Sequence, residues 1–94
     1  MGIMATPGVY IFRNNGWDAY VGRSDTDVLR RVKKSHRAAK YDRQVQIIPT
    51  SSPRAAYLLE CELFHKLDPS DNDFHPRVPD GTNWRCPVRD CCWS

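Results

Sequence analysis

Gly8-Val9-Tyr10-Ile11-Phe12-Arg13-Asn14-Asn15-Gly16-Trp17-Asp18-Ala19-Tyr20-Val21-Gly22 is the stretch from which the fold is read. Two runs rich in Val, Ile, Phe and Tyr flank an Asn-Asn-Gly segment, the pattern of two strands joined by a tight turn. Loop length then decides which side chains share a face. A two-residue loop of Asn15-Gly16 sets Asn14 opposite Trp17 and sends Tyr10 and Tyr20 to opposite faces. A three-residue loop of Asn14, Asn15 and Gly16 sets Arg13 opposite Trp17 and Tyr10 directly opposite Tyr20, with Gly16 as the left-handed residue that loop needs. We adopt the three-residue loop. It pairs two phenols on one face, each beside a glycine that lets another backbone or a ligand come close. Taken alone, the hairpin is better explained by cross-strand aromatic packing.

Working outward, Ser24 or Asp25 can cap a helix from about Thr26 to about His36, with Asp27 in its first turn. Residues 44–49 read as a short third strand that Pro49 ends. Ser51 or Ser52 caps a second helix starting at Pro53, since proline is tolerated in the first turn, and reaching roughly Leu67. From Asp68 onward the chain carries four prolines and three of its four cysteines and reads as loop. The expected fold is a small α/β (α+β) domain of β-β-α-β-α order over residues 1–72. Its three-stranded antiparallel sheet is flanked by helices, and residues 73–94 form an irregular tail packed on the domain or extending from it.

Ninety-four residues suffice for one modest core. No stretch of ~18 apolar residues is present to span a membrane, and no secretory signal is visible, so a cytoplasmic location is expected. Met1–Thr6 fits the loose myristoylation pattern, which is short and degenerate enough to arise by chance. The net charge is +3, but it is unevenly placed. Residues 29–43 hold seven of the fourteen basic side chains and only Asp42 against them, about +6 in all, leaving the remainder near −3. One dominant sign with few i,i+4 acidic partners suits a surface that meets phosphates. Arg30, Lys33, Lys34, Arg37 and Lys40 are the candidate contacts.

In the second helix, Ala56, Tyr57, Leu59, Leu63, Phe64 and Leu67 fill one broad apolar arc. Glu60 falls near the middle of that arc, whereas Glu62 lies on the other side, one turn before Lys66. A carboxylate in an apolar stripe is costly unless compensated. A salt bridge to an arginine and a divalent cation are the two compensations, and periodicity does not choose between them.

The Gly8-Val9-Tyr10 and Tyr20-Val21-Gly22 doublet resembles the signature of the GIY-YIG nuclease superfamily, in which valine commonly replaces isoleucine. Leu58-Leu59-Glu60-x-x-Leu63-Phe64, with Pro69 nine and Asn72 twelve positions after the glutamate, resembles the family's second-helix motif. The spacing is that of the amino-terminal nuclease region of the excision-repair incision enzymes. The resemblance covers about residues 7–72 and implies a metal-dependent DNA endonuclease. Glu60 would be the ligand of Mg²⁺ or Mn²⁺, Tyr10 the general base, Tyr20 its assistant, and Asn72 a polar residue shaping the site. Read without the resemblance, Asn72 is a turn residue. The family's arginine lies about ten positions beyond the second tyrosine, which points to Arg30. The local pattern of Asp27-Val28-Leu29-Arg30-Arg31-Val32 and the helical wheel, with Val28, Leu29 and Val32 on the buried side, favour Arg31 instead. His36 occupies a place where several family members carry a histidine; a helix-dipole role at the C-terminus accounts for it equally.

These residue types suit phosphodiester hydrolysis. A cation on Glu60 orients the phosphate and leaving group, the Arg31 fork offsets phosphate charge, and a tyrosine of pKa ~10 needs that positive field to act as a base. Arg23 is a further candidate phosphate contact. In the tail, His75, Cys86, Cys91 and Cys92 are candidate zinc ligands. Arg89 stands where the second cysteine of a C-x-x-C pair would fall, however, and adjacent Cys91 and Cys92 are poor tetrahedral partners, so the spacing speaks against zinc. Free thiols or a terminal disulfide are the alternatives, and Cys61 reads as an inert small hydrophobe. Such a short chain leaves target choice to loops, the tail, a homodimer or a partner protein. The rival to a DNA endonuclease is the same fold holding nucleic acid or protein without cleaving it.

Overall fold

The structure is a computed structural model and describes residues 5–14, 17–34, 45–70, 72, 74–89 and 91, the side chains of Asn14 and Trp17 excepted. Its elements are β1 (Gly8–Asn14), β2 (Trp17–Ser24), α1 (Val28–Lys34), β3 (Val45–Pro49) and α2 (Pro53–Leu67). The expected order and the antiparallel three-stranded sheet are both observed, in the spatial order β2-β1-β3.

The central place of β1 follows from its composition. Val9-Tyr10-Ile11-Phe12 is a continuous apolar run rather than an alternating one, because both of its faces are covered. On one face Tyr10 and Phe12 pack with Ala19, Val28 and Val32, bringing α1 onto the sheet. On the other, Val9, Ile11 and Val21 pack with Ile48 and with Leu59, Leu63 and Leu67 of α2. The sheet is thus a middle layer between two helices.

The hairpin register differs from the expectation. Asn14 pairs with Trp17 and Arg13 with Asp18, leaving two residues between the strands rather than three. The register then slips by one at Ala19, so that Phe12 pairs with Tyr20 and Tyr10 with Gly22. A two-residue connection plus a one-residue bulge restores the parity that a three-residue loop would have given. Tyr10 and Tyr20 therefore share a face as diagonal neighbours, not as direct partners, with ring centroids 6.3 Å apart. The conformation expected of Gly16 lies outside the described residues.

Both helices are set by their caps. Asp27, not Ser24 or Asp25, caps α1. Its Oδ1 accepts from Arg30 N at 3.2 Å, while Ser24 Oγ accepts from Asp27 N at 2.9 Å and shapes the preceding turn. The expected extension of this helix to His36 lies outside the described residues. Ser52 caps α2, accepting from Ala55 N at 3.0 Å, with Pro53 opening the first turn. Asp68 closes it in the left-handed region at φ 46°, and Pro69 follows.

The described tail residues form no helix or strand and lie against α2. Tyr57 meets Trp84 at 6.1 Å between centroids, and Phe64 meets His75 at 5.3 Å. No helix among the described residues is long and apolar enough to cross a membrane.

Candidate active site

Tyr10 rises from the α1 face of β1 and lies across Gly22 of the edge strand β2. A Cβ on Gly22 would come within 2.6 Å of Tyr10 Cε2 and closer still to Cζ and Oη. The only glycine with positive φ among the described residues is Gly81, so Gly22 is required for space rather than backbone freedom. The phenol thereby reaches the outer edge of β2 while its ring stays buried at 3 % exposure. Gly22→Ala is expected to push the ring off this path, lowering stability by about 1–3 kcal/mol. Thermal melts of Gly22→Ala beside the parent protein would measure this, and an unchanged melting temperature would contradict the crossing.

Glu60 comes to the same edge from α2, on the other face of the sheet, and is 8 % exposed. Arg23, on β2, donates from Nη1 to Glu60 Oε1 at 3.0 Å and from Nη2 to the Arg77 carbonyl at 2.8 Å. Its Nε stands 2.9 Å from Asp25 Oδ1, and its guanidinium lies 5.3 Å from the centre of the Tyr57 ring. All three arms of the fork are engaged, so Arg23 is turned inward rather than offered to a phosphate. The salt bridge foreseen as one compensation for Glu60 is therefore present, and it leaves Oε2 for a further partner.

The electrostatics follow from this layout. Burial pushes the Glu60 carboxyl up to about 7, with Arg23 pulling it back, Asp25 adding to the rise and Arg31 opposing it. The Tyr10 phenol is held above its ordinary value, chiefly by burial and then by Tyr20. Hydrogen bonding and positive charge from Arg31 act in the opposite sense. Arg31, Tyr10 and Glu60 thus feel one another's charge although they come from a helix on each face and the strand between. Arg30 and Arg31 are both exposed and both bonded through their backbone N–H to Asp27, but only Arg31 is linked to Tyr10. Lys33 and Lys34 are exposed beside it on α1.

Asn72 serves the edge of the sheet. Its Oδ1 accepts from Val21 N at 2.8 Å and its Nδ2 donates to Val21 O at 3.0 Å, so one side chain completes the ladder that β2 lacks on its outer side. Both Val21 bonds flank the tyrosine and glycine on which the site depends. His36, Arg37, Lys40 and Cys92 lie outside the described residues.

Two features escaped the sequence reading. Asp25, placed there as a helix cap, faces Arg23 at the site. His65 of α2 joins His75, Cys86 and Cys91 in a cluster whose ligand atoms all lie within 4.8 Å of one another. Its position one turn after Cys61, on a buried face of α2, was the available signal.

The comparisons with known proteins agree with this geometry. No protein-family model matches the chain. It is 31 % identical over 85 residues to the UvrABC system protein C of Thermotoga maritima, an alignment covering 77 % of this chain. The chain spans only 15 % of that protein's length. Among solved structures it resembles the GIY-YIG N-terminal endonuclease domain of the same UvrC, bound to its catalytic divalent cation, magnesium. The TM-score is 0.61 at 29 % identity, covering 73 % of this chain and 85 % of that domain. A tyrosine-to-phenylalanine variant of that domain, also bound to the divalent cation, matches with TM-score 0.62 at 28 % identity over 76 % of this chain and 87 % of the other. By fold and sequence together, the chain strongly resembles the GIY-YIG endonuclease domain. The part of UvrC that it resembles is the amino-terminal endonuclease domain.

Proposed function

We propose that this chain is a divalent-cation-dependent endonuclease that hydrolyses DNA phosphodiester bonds in the cytoplasm. Likeness to the UvrC domain supports a nuclease, and one observation carries the reading to the residues. Tyr10, Arg31 and Glu60 reach one edge of β2 from three different elements, with Gly22 clearing the way. A single buried carboxylate with one oxygen left by Arg23 fits Mg²⁺ or Mn²⁺, which take few protein ligands and keep water and substrate phosphate for the rest. When bound at Glu60, the cation supplies positive charge beside the phosphate and the departing oxygen.

The chain's own residues do the remainder. Arg31 presents a planar, always-charged fork toward the non-bridging oxygens, where charge builds up as the bond breaks. Tyr10 Oη, as phenolate, accepts the proton of the attacking water, and Tyr20 packs beside it to hold its direction. Because burial holds the proton on Tyr10, its activation depends on the positive charges facing it. Arg23 acts as a positioning residue, aiming Glu60 while anchored on Asp25 and the Arg77 carbonyl. Arg30, Lys33 and Lys34 form the described part of a phosphate-contacting face, which Arg37 and Lys40 would extend. A homodimer or partner protein would supply target choice.

The Arg23–Glu60 ion pair is the observation that favours the rival, a silent binding module whose glutamate is already compensated. Incubation with supercoiled, linear and branched DNA decides between them. Nicking with Mg²⁺ or Mn²⁺ and none with EDTA is expected, whereas retention of DNA without cleavage would establish the rival. Affinity should also fall with salt, with a logarithmic slope of about −0.9 per phosphate contact. Reversing Arg30, Lys33 and Lys34 to glutamate should flatten that slope across all sequences alike. A salt-independent affinity would point to a protein partner instead.

A further inference from the structure

The tail offers a second site of different chemistry. Four side chains converge from separate stretches, His65 from α2 and His75, Cys86 and Cys91 from the irregular tail. Their ligand atoms lie within 4.8 Å of one another, and His75 Nε2 stands 3.4 Å from Cys91 Sγ. Tetrahedral zinc with bonds of about 2.0–2.3 Å sets its ligands about 3.3–3.8 Å apart, so the cluster needs only a small contraction.

Two details fix the nitrogens. His75 Nδ1 lies 2.9 Å from the Pro76 carbonyl, which can only accept, so Nδ1 carries the proton and the Nε2 lone pair faces Cys91. His65 Nε2 is buried with no hydrogen-bond partner among the described residues, an orphan that a metal would satisfy. The sulfurs of Cys86 and Cys91 lie beside each other. Two imidazoles and two sulfurs form a soft set of four donors, the kind that selects zinc over Mg²⁺ or Ca²⁺.

We infer that His65, His75, Cys86 and Cys91 bind one structural Zn²⁺ that fastens the tail to α2. On binding, the Cys86 and Cys91 thiols each release a proton to solvent, and two thiolates with two neutral imidazoles leave the site without net charge. Neutrality suits its half-buried position. A tail whose described residues form no helix or strand gains from such a staple, which offsets part of the chain entropy lost on ordering it. The same fastening holds the Arg77 carbonyl against Arg23, although the zinc site stands whether or not Glu60 serves cleavage.

Elemental analysis of the full chain, purified without chelator from zinc-supplemented medium, tests this. One zinc per chain is expected, and replacement by Co²⁺ should give visible bands and a thiolate-to-cobalt charge-transfer band typical of tetrahedral sulfur ligation. His65→Ala and Cys91→Ser should each abolish stoichiometric zinc and lower the melting temperature by about 10 °C or more. Cys61→Ala, beside the cluster but outside it, should keep its zinc. The cobalt spectrum of the parent protein does not depend on whether a variant folds. A metal-free parent, a Cys86–Cys91 disulfide found by mass, or full zinc retained in His65→Ala would each overturn the assignment.

Discussion

Glu60→Gln is expected to reduce DNA cleavage by about 10²–10³-fold or more, since it removes the charge that would hold the cation while keeping the side chain's shape. The fold should survive. Arg23 is not stranded by the change, because Asp25 and the Arg77 carbonyl still engage it. Burial already outweighs the pull of Arg23 on this carboxyl, raising it from 4.5 to about 7. A raised acid favours the folded state while protonated, so the stability it contributes is full below 4.5 and is lost as pH rises through about 7. Above that pH, without cation, Glu60→Gln should therefore be at least as stable as the parent.

The same proton competes with the cation. At limiting Mg²⁺, the pH profile of parent cleavage should break near 7, where the carboxylate becomes fully ionised, and rise less steeply above it, where only the Tyr10 phenol is still to be deprotonated. Glu62→Gln, on the exposed side of α2, is the control and should match the parent in rate, pH profile and melting. Full activity in Glu60→Gln, or equal losses at both glutamates, would remove Glu60 from the reaction.

The fold was legible because its signals are local. Capping serine, Pro53 and Pro69 bound the second helix, and the unbroken apolar run of β1 marks a strand covered on both faces. Register was not legible in the same way. A two-residue connection with a bulge at Ala19 and a three-residue loop without one place the tyrosines on the same face, and only the pairing distinguishes them. Parity alone places both tyrosines on one face and leaves open which residue pairs with which. Arg23 and Glu60 lie 37 positions apart, and nothing around either announces the other. Spacing within the tail cannot reveal the His65, His75, Cys86 and Cys91 cluster, because one of its four members belongs to a helix. Long-range pairing of charged and ligating groups is set by packing, which periodicity reports only as a face.

Arg31 separates a chemical role from general basicity. Arg31→Ala should lower cleavage by about 10²–10³-fold, the scale on which one group facing transition-state charge acts. Arg31→Lys should recover only part of it, because a point charge cannot present two parallel donors to phosphate oxygens. Arg30→Ala, one position earlier on the exposed side of α1, removes the same formal charge and is the matched control. Both variants should shift the salt dependence of binding by similar amounts. Only Arg31→Ala should depress turnover at saturating DNA. It should also displace the alkaline limb of the pH profile upward, since Arg31 is what draws the Tyr10 phenol down against burial. Equal turnover losses in Arg30→Ala and Arg31→Ala would mean that α1 contributes only a basic surface. A collapse confined to Arg31, with the shifted limb, would tie this arginine to the phenol and to the reacting phosphate.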